Sequence, residues 1–438
     1  MSHAVDSANG GLTDGRSHAP HEDCPMSSVE FRRYDPDRDH AAMNQIWRDC
    51  GWMDDSDEQQ VGMQVYVDAT EERWVAEVDG TVECVVFGNF GNLQVGSANV
   101  RLGCIGAVAA SLLMRRQGVA GRLAARVMAE LARQGTVAST LGVFDHGYYD
   151  KLGFAPGGYD RFVWLDPSRL KVPSLERRPV RLTMDDVEAI HASRHRRLRV
   201  NGSVSLDVAG ATAHAMRYSK DPVGLGFRDA SGELTHFMWF QRNSAEEGPW
   251  LCTVQAFQSW AQYMELLSLL KSLGDQVRLV RLYEPSGFHL QPLVERPFRH
   301  YGMTKGGRFW EHTEAFTWCQ YRIDNVPEAV AAMGPTQPVS FNLRVTDPAA
   351  SRLPDAAAWR GAGGDYVVHL DAQSRAEVGH EPGLPGLEAS VNTLTQWWLG
   401  VMPAEVLAAR GDFDAPPELL AALNAAVRLA QPVPDWDL

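Results

Sequence analysis

The sequence predicts an α/β (α+β) chain of mixed sheets flanked by helices, divided into three folded regions behind an N-terminal tail. Three observations predict it. The 438 residues exceed what one core organises, and at roughly 100 to 200 residues per domain they imply two to four units. Strand-like alternation and helix-like periodicity take turns from Val29 to about Leu170 and again beyond it. Prolines and charges accumulate over residues 167–179 and mark a linker or domain edge. The chain therefore divides into a tail (1–27), a first region (28–170), a second (171–322) and a third (323–438).

The elements follow in order. Residues 37–50 are polar with Ala41, Ile46 and Trp47 interspersed, a short helix. Residues 73–78 and 81–87 alternate as a hairpin, and Asp79-Gly80 supplies the two-residue loop that type I′ geometry prefers. A longer buried strand spans 99–110, and a helix over 119–131 carries Val119, Leu123, Val127, Met128 and Leu131 on one face before Gly135 stops it. Strands at 137–143 and 161–165 complete the first region. In the second, Thr183 opens a helix with Asp185 and Asp186 in its first turn, and another helix runs over 257–273. The third region holds a short helix at 327–332, strands at 340–345 and 366–370, and helices at 389–399, 403–410 and 417–429.

Apolar residues make up 45% and charged residues 22% of the chain, the balance of a folded, water-soluble protein. A net charge of −14 repels phosphate backbones and attracts cations, so nucleic acid is not an expected partner and a polyamine-like molecule is. No run of about 18 apolar residues offers a membrane span. Residues 1–26 lack the basic and apolar segments of a signal peptide. The six cysteines are scattered without a C-x-x-C pair, which reads as free thiols in a reducing, cytoplasmic setting and as no metal site. His191 and His195, four apart on a helix, have metal-gripping spacing, but Arg194, Arg196 and Arg197 oppose a cation and make this a solvated face.

The chemistry concentrates in Arg115, Arg116, Gln117, Gly118, Val119 and Ala120, which fit Q/R-x-x-G-x-G/A. The pattern alone is weak; its context, between a buried strand and a helix start, is not. Helix N-termini hold anions through unpaired N–H groups and about half a positive charge. Gly118 lets a phosphate approach the backbone, Ala120 keeps the first turn clear, and Arg115 and Arg116 add charge. A P-loop, G-x-x-x-x-G-K-[ST], is absent, as is the G-x-S-x-G elbow of the simplest hydrolases.

Some 30 residues on, Tyr149, Gly153 and Phe154 form Y-x-x-x-G-F after a strand. The two segments together resemble the acetyl-coenzyme A site of GNAT acetyltransferases. The resemblance implies a mixed sheet whose central strands splay into a V, where pantetheine inserts and meets the backbone of Val108 and Ala110. Over residues 29–438, the second α/β stretch without the motif and a terminal region with Trp359, Arg360, Gly361, Leu399 and Gly400 resemble the enhanced intracellular survival (Eis) acetyltransferases. That resemblance implies tandem GNAT-like mixed sheets, the second a non-catalytic duplicate, then a small domain similar to sterol carrier proteins, and a homo-oligomer, a hexamer in that family. It also assigns roles. Tyr149 is the acid that protonates the leaving thiolate, with Tyr148 as competitor, a phenol of pKa near 10 suiting a thiol of about 8.5. The chain's terminal carboxylate, at Leu438, is the base that takes the amine's proton, and Asp435 and Asp437 raise its pKa. Family members often end in an aromatic residue; this one ends in Leu. Trp52 with Asp54 and Asp55 corresponds to an aromatic and an acid that hold aminoglycoside amines. The expected activity is acetyl transfer to primary amines of polycationic small molecules. Transfer to protein lysine or polyamines, or a lipid-binding scaffold with a vestigial site, are the alternatives.

Overall fold

A computed structural model describes residues 29–53, 57–297, 307–353 and 357–436. Strand β1 (Val29–Arg33) leads into α1 (Pro36–Asp49), where the Asp35 side chain accepts from the Asp37 N–H at 3.1 Å and Pro36 presets the first turn. Helix α2 (Asp57–Ala69) follows. Strands β2 (Glu72–Val78) and β3 (Thr81–Val95) form the expected hairpin, with Asp79 at φ 50° and Gly80 at φ 85°, both positive as a type I′ turn demands. Then come β4 (Ala98–Ala110), α3 (Val119–Arg133), β5 (Ala138–Gly142) and β6 (Ala155–Pro156). Val119, Leu123, Val127, Met128 and Leu131 of α3 are buried against the sheet, the face its periodicity foretold.

The second region adds β7 (Asp160–Leu165), β8 (Val180–Leu182), α4 (Val187–Arg196), β9 (Val204–Leu206), α5 (Ala209–Arg217), β10 (Val223–Arg228), β11 (Leu234–Arg242), β12 (Trp250–Ala256), α6 (Trp260–Ser272), β13 (Val280–Tyr283), β14 (His312–Phe316) and β15 (Cys319–Ile323). The third adds α7 (Val326–Ala331), β16 (Val339–Thr346), β17 (Gly364–Leu370), β18 (Arg375–Val378), β19 (Gly386–Ser390), α8 (Val391–Trp398), α9 (Ala404–Ala409), β20 (Phe413–Asp414) and α10 (Pro417–Ala426). The helix expected over 389–399 begins only at Val391, because Ala389 and Ser390 pair in β19 and the Ser390 hydroxyl caps the helix.

Three sheets result. The first has the order β1-β2-β3-β4-β5-β15-β6 with β9 against β3, the second β14-β7-β13-β12-β11-β10-β8, and the third β18-β17-β16-β19-β20. The expectation that 161–165 closes the first region is corrected here. Strand β7 pairs with β13 and β14 in the second sheet, and β15 returns to fill the first, antiparallel to β5 and β6. Alternation shows which face a strand buries but not which neighbour it pairs with, so this exchange has no local signature. The third sheet shares one continuous core with the back of the first, from Leu102 and Tyr321 through Phe341, Trp397 and Trp398.

A buried ionic joint fastens these two units. Arg322, 0% exposed, donates to Asp347 at 2.7 Å and to Asp324 at 3.1 Å. Asp324 also accepts from the Thr136 and Ser139 hydroxyls at 2.9 and 2.6 Å. Burial pushes the Asp324 carboxyl above its ordinary range against the pull of Arg322. Breaking one partner of a buried pair costs about 3–5 kcal/mol, so Asp347→Ala should show a loss of that size in urea unfolding. A loss below about 1 kcal/mol would mean the joint behaves like a surface pair.

Candidate active site

Strands β4 and β5 run parallel but pair only where Leu102 to Ile105 face Ala138 to Leu141. Beyond that, β4 continues to Ala110 paired with β3 but not with β5, and a V opens between β4 and β5. A bulge opposite Val86, with Ala107 at φ 50°, tilts β4 away. The Ser111 N–H bonds the Glu83 carbonyl on the β3 side at 2.8 Å. Alternation then turns the N–H groups of Val108 and Ala110 to the opposite edge, into the V.

At the mouth of the V the chain turns through residues 111–118 into α3. Arg115, Arg116, Gln117 and Gly118 are all exposed, with Arg116 at φ 64° and Gly118 at φ 75°. Gly118 is the N-cap, no side chain caps the helix, and a Cβ placed on it would meet nothing within 4 Å. The start of a 15-residue helix thus stands without a side-chain cap beside open space, and helix N-termini of this kind can receive an anion. Ala120 is half-buried against the core under this turn. The third region contributes a cation that sequence spacing could not reveal: a Cβ on Gly121 would lie 3.9 Å from Nη1 of Arg352 and 4.0 Å from the Tyr148 hydroxyl.

Tyr149 opens a 3-10 turn (Tyr149–Leu152) and is 2% exposed. Tyr148, Phe144 and Phe154 surround it edge-on at 4.8, 5.8 and 6.2 Å between ring centroids. Burial holds its phenol well above the ordinary range, so it is protonated throughout the physiological pH range. Burial raises Tyr148 too.

A cavity of about 720 Å³ joins this V to the second sheet and is lined by Val108, Tyr149, Trp52 and the C-terminal residues 433–436. Those last residues are anchored. The Val433 N–H bonds the Asn201 carbonyl at 2.9 Å, and the Tyr283 hydroxyl donates to the Pro434 carbonyl at 2.7 Å. Asp435 accepts two bonds from Arg197, at 2.8 and 2.6 Å, and further bonds from the Ser203 hydroxyl and the Val204 N–H at 3.0 and 3.1 Å. Trp436 is buried, with the Arg194 guanidinium 3.6 Å from its ring centroid. The tail needs glycine beside it: a Cβ on Gly158 would overlap the Pro432 carbonyl, and one on Gly202 would come within 2.5 Å of the Val433 nitrogen.

Two expectations change. Asp435, read as a neighbour that raises the terminal carboxylate's pKa, spends its charge on Arg197. His191 and His195, read as a solvated face, are half-buried and pack edge-on against Trp436 at 6.0 and 5.6 Å. Burial, then His195 and Arg194, hold His191 down to about 4, which keeps it neutral in this cradle. Trp52 reaches the cavity and is partly exposed, whereas Asp54, Asp55, Asp437 and Leu438 lie outside the described residues. Among the described residues no cluster of His, Cys, Asp or Glu could hold a metal, and no helix is long and apolar enough to cross a membrane.

The second sheet repeats the V with its machinery closed. Strands β12 and β13 run parallel through two residue pairs only and then part. Gln255 bridges the gap to the Tyr283 carbonyl at 3.1 Å. The following helix, α6, is capped by its own Ser259 hydroxyl, which accepts from the Gln262 N–H at 3.3 Å. A helix end satisfied this way has less to offer a pyrophosphate.

Strands β4 and β5 splay beside an open helix start, and Val108 and Tyr149 line one cavity, whereas Ala110, Arg115, Arg116, Gly118 and Ala120 are not among the residues lining it. Residues 30–157 match the family model described as an acetyltransferase (GNAT) domain, so the first third of the chain carries that domain and the protein is an acyltransferase. Over the whole chain it is similar to a conserved protein of unknown function, probable N-acyltransferase, from Enterococcus faecalis V583 (TM-score 0.76, 15% identity, 94% of this chain and 100% of that one). It is likewise similar to a GCN5-related N-acetyltransferase from Anabaena variabilis ATCC 29413 (TM-score 0.76, 12% identity, 94% and 100%). Eis1 from Mycobacterium abscessus is a third (TM-score 0.71, 16% identity, 94% and 100%). These likenesses show the fold, tandem GNAT-like mixed sheets. No curated protein sequence matches the chain.

Proposed function

We propose that the chain transfers acetyl from acetyl-coenzyme A to a primary amine of a small molecule by direct attack. The amine nitrogen adds to the acetyl carbonyl, the C–S bond breaks, Tyr149 protonates the departing thiolate, and the C-terminal carboxylate of Leu438 takes the ammonium proton. The observation that carries this is one cavity lined jointly by Val108, Tyr149 and residues 433–436. The anchoring of Asp435 and Trp436 supports a carboxyl terminus delivered to the same place. Pantetheine would lie along Val108 and Ala110, with its pyrophosphate on Arg115, Arg116, Gly118 and the amides above Ala120. A cavity enclosed by two sheets and the tail favours a small acceptor over a lysine on a folded protein.

Release of free coenzyme A thiol from acetyl-coenzyme A in the presence of an amine panel tests the reading, and no release with any amine would end it. Gly118 offers a narrower test. A side chain on Gly118 would stand in the open space at this turn, where the pyrophosphate is proposed to approach, so Gly118→Val should weaken acetyl-coenzyme A binding about tenfold, about 1.4 kcal/mol, by calorimetry. Unchanged affinity would remove the anion role from this turn.

A polycationic acceptor, aminoglycosides by the Eis analogy, is a second reading favoured by the net charge of −14 and by Trp52 at the cavity. The hexamer and the sterol carrier-like third domain belong to the same analogy; sedimentation of the purified chain would test the first and a fluorescent fatty acid the second.

A further inference from the structure

The third region reaches into the first beside the start of α3. After β16 the chain makes a 3-10 turn (Pro348–Arg352) that begins at Asp347. The Asp347 side chain accepts from the Ala349 N–H at 2.9 Å, a local bond that sets the turn, and is itself held by Arg322 at 2.7 Å. Ala349 and Leu353 are buried in the same core as Val119 of α3 and Tyr149. Packing of these two side chains fixes where the turn sits, and Arg352 is presented next to Leu353.

The Nε–H of Arg352 donates to the Lys151 carbonyl at 3.2 Å, in the turn that Tyr149 opens. The carbonyls around it are gripped from outside the first region as well: Arg322 takes that of Leu152, and the Asn392 side chain donates to those of Asp150 and Phe154 at 3.1 and 2.7 Å. Among the described residues the Arg352 guanidinium bonds only the Lys151 carbonyl, which leaves most of its donors for another partner. Its Nη1 lies 3.9 Å from the point where a Cβ on Gly121 would stand, and the Tyr148 hydroxyl 4.0 Å from that point. Gly121 is the third residue of α3, so its N–H is one that a helix leaves without an intrahelical partner. Cα–Cβ bonds tilt toward the helix N-terminus, which sets Nη1 alongside the first turn. A backbone nitrogen is about 2.5 Å from its own Cβ, so Nη1 and the Gly121 nitrogen are no more than about 6.4 Å apart. Two hydrogen bonds of about 2.9 Å each, made to oxygens of one phosphate, cover that span.

We infer that Arg352 is a coenzyme-binding residue: carried in from the third region, its guanidinium contacts the pyrophosphate of acetyl-coenzyme A beside the first turn of α3. The coenzyme site is then shared between two regions of the chain. This rests on the reading that places the pyrophosphate at this helix start, and extends it. A planar, always-charged fork of donors suits a phosphate, and the bond to Lys151 orders it before the coenzyme arrives.

The test is calorimetric titration of the full chain with acetyl-coenzyme A and with acetyl-dephospho-coenzyme A, which keeps the pyrophosphate and lacks the 3′-phosphate. Arg352→Gln should weaken binding of both about tenfold, the worth of a charge-assisted contact. In thiol release it should raise KM for acetyl-coenzyme A with kcat unchanged. Arg352→Lys, which keeps the positive charge, should lose no more than about threefold. Wild-type affinity in Arg352→Gln would overturn the inference while leaving the acetyltransferase reading intact. Equal losses in the two variants, or a fall in kcat, would do the same, because either makes Arg352 a support for the Tyr149 turn. A loss confined to acetyl-coenzyme A would move the contact to the 3′-phosphate and overturn it too. No binding of either coenzyme by the wild-type chain, together with no thiol release with any amine, would overturn both readings.

Discussion

Tyr149→Phe should lower kcat about 10²-fold or more while leaving the affinity for acetyl-coenzyme A unchanged. General acid catalysis by a positioned side chain contributes about 10²–10⁴-fold, and the substitution deletes one hydroxyl without disturbing the ring. The ring packs edge-on against Tyr148, Phe144 and Phe154, so phenylalanine keeps those contacts and the variant folds. The buried phenol titrates above its ordinary range. It therefore stays protonated as pH rises, and the wild-type rate should climb with pH as the acceptor amine loses its proton, without a fall from Tyr149. Single-turnover kinetics at several pH values would check both statements. A variant with wild-type kcat would move the acid to Tyr148, whose hydroxyl lies near Gly121 at the start of α3, or to water.

Gly158→Ala is expected to lower kcat by about 10² as well, for a steric reason. The added methyl would overlap the Pro432 carbonyl, so the tail must lift out of its trench and carry the terminal carboxylate with it. Gly158 lies beyond the last residue of the GNAT match, so coenzyme binding should survive. A chain with one glycine appended after Leu438 should lose rate to a similar degree, because its carboxylate is displaced along the chain. Full activity in both would exclude the C-terminus as the base; loss only in Gly158→Ala would point to disturbed packing.

What could be read from sequence was local. The Asp79-Gly80 hairpin, the apolar face of α3 and the glycine at its start are each set by residues within one or two turns of each other. What escaped depends on partners far along the chain. His191 and His195 share their helix with Arg194 and Arg196 and look solvated, yet Trp436 covers them from the other end of the sequence. Asp435 is claimed by Arg197, 238 residues away. Helix α5 and the strands β10 to β13 lie in a stretch where the notable sequence feature was the absence of a second phosphate-binding motif. Their importance is geometric: the duplicated V meets the tail through the Tyr283 hydroxyl. Trp52 was legible beside its acids, whereas Tyr218 and Phe316, which line the same cavity, share no motif with it.

Because β15 completes the first sheet from 180 residues downstream of β5, the catalytic unit cannot be finished when its own contiguous segment leaves the ribosome. At about 5–20 residues per second the wait is about ten to forty seconds, during which an edge of β5 stands unpaired. A fragment cut at residue 170 would keep that open edge permanently and would tend to pair with other copies. The enzyme must be handled, and is made, as one piece.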